Sequence, residues 1–279
     1  MINTKYSVAI ESEKPAYEVF GLLTDLSAWW PEDYVGEEIQ AGTEFILRSG
    51  EGHFSRNKVI EFVPGKKLAW LTTESLRKAD NYDWTGTKMI LELFPAGKGT
   101  RISYTYDGVV PEQEQDRLAQ ICDYCIKEKL RDHLESFRTS IETFKSPSEV
   151  FECLGEVPDW WSRDFEGRSR DLNDEFIIHH PNTHFSKQKL IEVIPGKKIV
   201  WLVTEGTLHW LKQPHEWTNT KMIFQISVKN DKTILDFTHE GLVPAKECYS
   251  ACINGWTMVI RDRLFHYIQE GKPYDSKTV

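Results

Sequence analysis

His53-Phe54-Ser55-Arg56-Asn57-Lys58-Val59-Ile60-Glu61-Phe62-Val63-Pro64-Gly65-Lys66-Lys67-Leu68-Ala69-Trp70-Leu71 reads as two strands joined by a Pro-Gly turn, and much of it occurs twice in the chain. His184-Phe185-Ser186, Lys189-Leu190-Ile191-Glu192, Pro195-Gly196-Lys197-Lys198 and Trp201-Leu202 repeat it at a constant offset of 131 residues. The same offset links Trp29-Trp30 to Trp160-Trp161, Glu18-Val19-Phe20 to Glu149-Val150-Phe151, and Thr73-Glu74 to Thr204-Glu205. Beyond Trp84 it becomes 133, pairing Trp84-Thr85 with Trp217-Thr218, Thr87-Lys88-Met89-Ile90 with Thr220-Lys221-Met222-Ile223, and Gly108 with Gly241. Self-similarity at a fixed period marks repeated structural units. A two-residue insertion near Leu208-His209-Trp210-Leu211-Lys212-Gln213, read as a loop, accounts for the shift. The chain therefore divides into a first copy at 1–137 and a second at 138–279, each of ordinary domain size.

Each copy has the same element plan. Tyr6-Ser7-Val8-Ala9-Ile10 alternates like a half-buried strand, and Pro15 stands where a helix can begin. Turn signals at Ser49-Gly50-Glu51-Gly52, Pro64-Gly65-Lys66-Lys67 and Pro95-Ala96-Gly97-Lys98-Gly99 separate a run of strands that predicts an antiparallel meander. From Glu112 to Phe137 there is no Gly or Pro, and Leu118, Ile121, Cys122, Cys125, Ile126, Leu130 and Leu134 recur at three and four residues, predicting a long amphipathic helix. Cys252, Val259, Ile260, Leu264, Phe265 and Ile268 repeat that stripe. The fold class is α+β.

Bulk composition narrows the partners. With 34 Lys+Arg against 43 Asp+Glu the formal net charge is −9, so no basic field is present to hold a phosphate backbone, and no nucleic acid is expected. No apolar run reaches the roughly 20 residues of a spanning helix, and Met1–Glu11 lacks the charged lead and apolar core of a signal segment. No membrane span and a cytoplasmic location are expected. Five scattered cysteines point to reduced thiols rather than a disulfide framework.

The paired tryptophans, the Pro-Gly-Lys-Lys turn before a Trp-bearing strand, and the Thr-rich strands Thr100–Gly108 and Thr233–Gly241, each ending in an acid-Gly or similar pair, resemble the START-like (SRPBCC) superfamily. Within it they are similar to the domain of the heat-shock-protein ATPase activator homologues. Asn254-Gly255-Trp256, at the start of the last helix, makes the second copy closer to type. The resemblance implies two helix-grip domains, each a curved antiparallel sheet wrapped around a long C-terminal helix with a cavity between. It also implies a ligand or protein-contact role, stress response among them; fold alone does not choose.

Trp29, Trp30, Trp70, Trp84 and Tyr104, with Trp160, Trp161, Trp201 and Trp217, either line a pocket for a flat or greasy ligand or fill a core. Period-two alternation puts Glu74 on the face of Trp70, and Glu205 on that of Trp201. Both are candidates for a polar anchor or general base, against the plainer reading of a strand-end carboxylate in solvent. His53 and His184 sit beside hairpins and are expected to cap or pack. His179-His180 with His184 lacks a counterpart cluster in the first copy, and Cys122-x-x-Cys125 falls within a helix, so no metal or other cofactor is expected. No Gly-x-Ser-x-Gly elbow is present. The expected function is non-catalytic binding of a small hydrophobic or aromatic molecule. A chaperone-contacting module and a cyclase- or isomerase-type enzyme are the alternatives.

Overall fold

The computed structural model describes residues 2–30, 33–49, 53–77, 83–110 and 112–273. The chain forms two compact units, the first ending at Leu134 and the second beginning at Glu135. In the first, β1 (Ile2–Ser12) leads into α1 (Ala16–Thr24) and α2 (Leu26–Trp29). Then come β2 (Asp33–Gly36), β3 (Glu44–Ser49), β4 (His53–Val63), β5 (Lys67–Arg77), β6 (Lys88–Ala96) and β7 (Gly99–Val110). α3 (Gln115–Asp123) continues through a π-helical stretch, Tyr124–Leu130, into α4 (Arg131–Glu135). The second unit repeats this with β8 (Phe137–Thr143), α5 (Pro147–Leu154), α6 (Val157–Trp160), β9 (Phe165–Gly167) and β10 (Glu175–His180). β11 (His184–Ile194), β12 (Lys198–Leu208), β13 (Lys221–Lys229) and β14 (Lys232–Glu240) complete its sheet. α7 (Tyr249–Thr257), a π-helical stretch Met258–Leu264, and α8 (Phe265–Glu270) follow.

Each unit holds one seven-stranded sheet, in the orders β1-β7-β6-β5-β4-β3-β2 and β8-β14-β13-β12-β11-β10-β9. Neighbouring strands are antiparallel throughout, as the meander pattern predicts. The short helices after the first strand carry the chain from one sheet edge to the other, and the remaining strands return by hairpins. At the β4–β5 hairpin the Lys66 N–H donates to Val63 O at 2.9 Å, with Gly65 at φ 70°. Proline at the second position and a positive φ at the third make this a type II turn; Gly196 repeats it at φ 69°. Where α5 begins, Ser146 and Glu149 form a reciprocal capping box with Pro147 in the first turn.

Both sheets are bent at matching places. β4 and β5 lose register at Thr73, between the pairs Arg56↔Glu74 and Asn57↔Thr72, and at Ile60, between Val59↔Trp70 and Glu61↔Ala69. β11 and β12 do so at Thr204 and Ile191. An extra residue in one strand bends it and sharpens its local twist. Leu118, Cys122, Cys125, Ile126, Leu130 and Leu134 share one core with Trp70, Leu91 and Tyr104. Cys252, Trp256, Ile260, Leu264 and Ile268 do the same with Trp201, Phe224 and Phe237. The inward stripe is the predicted one except at Ile121, which is 41% exposed and lies at the solvent edge of the stripe. The π-helical stretches are new, with seven residues at corresponding places in both units. No Gly or Pro announces them. Among the described residues, no helix is long and apolar enough to cross a membrane.

Candidate functional site

The period of a strand places the tryptophans. On β5, Leu68, Trp70 and Thr72 point inward and are at most 1% exposed; on β12, Ile199, Trp201 and Val203 are likewise buried. In the first unit Trp30 packs edge-on against both Trp29 (5.4 Å) and Trp70 (5.8 Å), while Trp84 packs edge-on against Tyr106 at 5.6 Å. Tyr104 is buried beside Cys122, whose Sγ lies 3.9 Å from its hydroxyl. Burial raises the pKa of both, the thiol to about 12, so both stay protonated.

The second unit gathers its rings more closely. Trp201 stacks on Trp160 (6.1 Å) and on Trp161 (6.0 Å), Trp161 meets Trp256 at 5.0 Å, and Trp256 stacks on Trp217 at 5.9 Å. Gly206 makes room for Trp217, since a Cβ there would stand 2.8 Å from the Trp217 Cβ. Trp256, on α7, joins this set although the strand periodicity gives no hint of it; the Gly255-Trp256 pair was the available signal. Leu208 and Leu211 of the inserted segment pack into the same core.

Glu74 and Glu205 do not join the tryptophans. Thr73 and Thr204 are the extra residues of the two bulges, so alternation skips a beat and both carboxylates turn outward. Glu74 accepts from Arg56 Nε at 3.2 Å with both side chains about half exposed, an ion pair worth little. Glu205 is exposed and faces Lys187 across the strand pair. Neither is placed to anchor a ligand among the rings or to act there as a base.

Apart from Thr72, which alternation puts on the face of Trp70, the polar groups that do point inward carry no signal in the sequence, because Asn, Gln and Ser on an alternating strand look like solvent-facing positions. In the first unit Thr72 Oγ1 donates to Asn57 Oδ1, and Asn57 Nδ2 to Ser55 Oγ, each at 3.0 Å, with all three residues buried. In the second, Gln188 donates its amide to the Ser186 and Phe176 carbonyls at 3.1 Å each, and its oxygen accepts from Ser186 Oγ. Ser186 Oγ in turn accepts from His184 Nε2 at 2.8 Å. At the paired ends of β13 and β14, His239 Nε2 lies 2.9 Å from Thr220 Oγ1. Burial pushes the pKa of both histidines down to about 3, leaving them neutral. The side chain of His53, the counterpart of His184, lies outside the described residues.

Trp29 Nε1 donates to Leu23 O at 3.2 Å. By contrast Trp70 Nε1 and Trp201 Nε1, at equivalent places in the two sheets, are buried with no acceptor among the described residues. So are Trp160 Nε1 and Trp256 Nε1. A buried donor left unpaired costs about 1–3 kcal/mol, a cost removed when an acceptor arrives. His180 and His184 stack at 5.6 Å, yet among the described residues no group of three His, Cys, Asp or Glu side chains is arranged to hold a metal ion.

Residues 13–136 match the family model described as Activator of Hsp90 ATPase homolog 1-like protein. No curated protein matches the chain. Among solved structures, the Aha1 dimer from Colwellia psychrerythraea is 19% identical, over 49% of this chain and 98% of that one, with a TM-score of 0.41. DynU16, a protein of the dynemicin biosynthetic locus, is 12% identical over 96% of this chain and 98% of its own, with a TM-score of 0.38. The di-domain ARO/CYC StfQ from the steffimycin biosynthetic pathway is 14% identical over 85% of this chain and 83% of its own, also at 0.38. The family match lies within the first unit, residues 13–136, and the second unit repeats that unit's plan of a seven-stranded antiparallel sheet followed by a long C-terminal helix, so the chain is a tandem of two α+β helix-grip units of which the first is similar to the Activator of Hsp90 ATPase homolog 1-like family.

Proposed function

We propose that the protein binds a small hydrophobic or aromatic molecule between the sheet and the C-terminal helix of its units, without catalysing a reaction. The observation that carries this reading is the pair of buried indole N–H groups of Trp70 and Trp201 that have no acceptor among the described residues. Each stands amid aromatic rings at the same point of its sheet. Such a group favours a ligand that offers flat apolar surface together with one hydrogen-bond acceptor. Trp29, Trp30, Trp84, Tyr104, Trp160, Trp161 and Trp217 supply the surrounding surface. The outward turn of Glu74 and Glu205 removes the base that a cyclase- or isomerase-type mechanism would have used, and this favours binding over turnover.

Thermal melting against a library of aromatic and lipid-like compounds tests the proposal. A true ligand at a hundred times its Kd stabilises the protein by about 2.7 kcal/mol and raises Tm accordingly. A library that leaves Tm unchanged would count against it. The family match on residues 13–136 supports a second reading, contact with a chaperone through the outer surface. Pull-down and ATPase stimulation with a purified Hsp90-type chaperone check it, and no effect at micromolar concentration would exclude it.

A further inference from the structure

The last strands of the two units differ at several inward positions, among them that of Tyr106 and His239. Tyr106 pairs with Met89 in the first sheet, where the second pairs His239 with Met222. A tyrosine hydroxyl can both donate and accept; a neutral imidazole nitrogen does one or the other. Which of the two His239 offers follows from its neighbours. Thr220 Oγ1 has a single proton, and the Trp217 carbonyl, 2.6 Å away, can only accept it. Toward His239 Nε2, at 2.9 Å, the hydroxyl must therefore be the acceptor, so Nε2 carries the ring proton. Nδ1 is then a bare lone pair.

His239 is fully buried, and its Nδ1 has no partner among the described residues. The ring sits edge-on to Trp217 (5.0 Å) and Trp256 (5.8 Å), which stack on each other. Burial, helped by the charge of Lys246, keeps the imidazole from protonating at neutral pH. The site thus combines flat apolar walls with one oriented acceptor, which the Thr220 and Trp217 carbonyl relay holds in a single tautomer.

Building on the proposed binding role, we infer that the ligand of the second unit carries a hydroxyl or N–H donor on an aromatic ring, and that His239 Nδ1 receives it. The first unit, with tyrosine at this place, does not share that requirement.

The test uses the intact chain and two matched probes, 2-naphthol and its methyl ether, with binding to the second unit followed through resolved 15N-indole signals of Trp201 and Trp256. Naphthol should bind about fivefold to tenfold more tightly than the ether, the worth of one neutral hydrogen bond. In His239→Phe, which keeps the ring shape and loses both nitrogens, that preference should shrink to about twofold or less. 15N spectra of the free protein should show His239 protonated at Nε2 only, and its Nδ1 signal should move when naphthol is added; this readout does not require the variant to fold. Equal affinity for the two probes in the wild type overturns the inference while leaving the binding role standing. So does a preference that survives in His239→Phe, or a proton found on Nδ1 in the free protein. If neither probe binds, this inference falls, while the binding role stands or falls separately with the thermal melts against the compound library.

Discussion

Trp29 and Trp70 lie in the same core, yet their indole nitrogens have different fates, and substitution should expose the difference. Trp29→Phe leaves the Leu23 carbonyl without its donor, whereas Trp70→Phe removes an N–H that has no acceptor among the described residues. With similar ring volume lost in each, Trp29→Phe should be the more destabilising by about 1 kcal/mol in urea unfolding. Equal costs would mean that the Trp70 nitrogen is satisfied in solution. The buried histidines make a prediction of their own. His184 and His239 have folded pKa values near 3 against an ordinary value of 6.5, so below pH 6.5 the unfolded chain binds protons that the folded one refuses. Their contribution is complete above pH 6.5 and is lost as pH falls toward 3, by about 2 kcal/mol each at pH 5. Urea midpoints of the second unit measured from about pH 7 to about pH 5 should fall, and His239→Phe should show a shallower decline. A flat profile would contradict neutral burial.

Alternation along β5 and β12 correctly carried Trp70 and Trp201 inward. It failed four residues later because one bulge residue, Thr73 or Thr204, reverses every side chain that follows. Nothing in the local composition distinguishes a bulge threonine from any other strand threonine, so Glu74 and Glu205 were misplaced by a register event that only the partner strand reveals. The π-helical stretches were invisible for a similar reason: a wide turn keeps the same inward stripe and needs no marker residue. The Pro-Gly-Lys-Lys turn is the opposite case, since its chemistry dictates its geometry. Gly65 holds φ 70° with open space around its Cα, so Gly65→Ala meets no steric neighbour and should cost about 1–2 kcal/mol from backbone conformation alone. Chemical denaturation would read this directly, and an unchanged midpoint would show that the turn relaxes to another type.

At the scale of the whole molecule, the duplication was legible because turn residues and large aromatics recur at a nearly fixed spacing, and these are the residues whose geometry tolerates least change. What distinguishes the two copies was less legible. Tyr106 against His239, Asn57 against Gln188 and Thr72 against Val203 look like ordinary drift until burial shows that they face inward. Two interiors with different polar chemistry predict two ligand preferences in one chain. The most direct measurement is an NMR titration of 15N-tryptophan-labelled protein with ring compounds that bear a carbonyl or other acceptor. The account predicts that the indole N–H signals of Trp70, Trp201 or both move downfield on binding, while that of Trp29 stays in place. If compounds bind and neither signal responds, or if none binds the folded protein, the proposed role of the two interiors is contradicted.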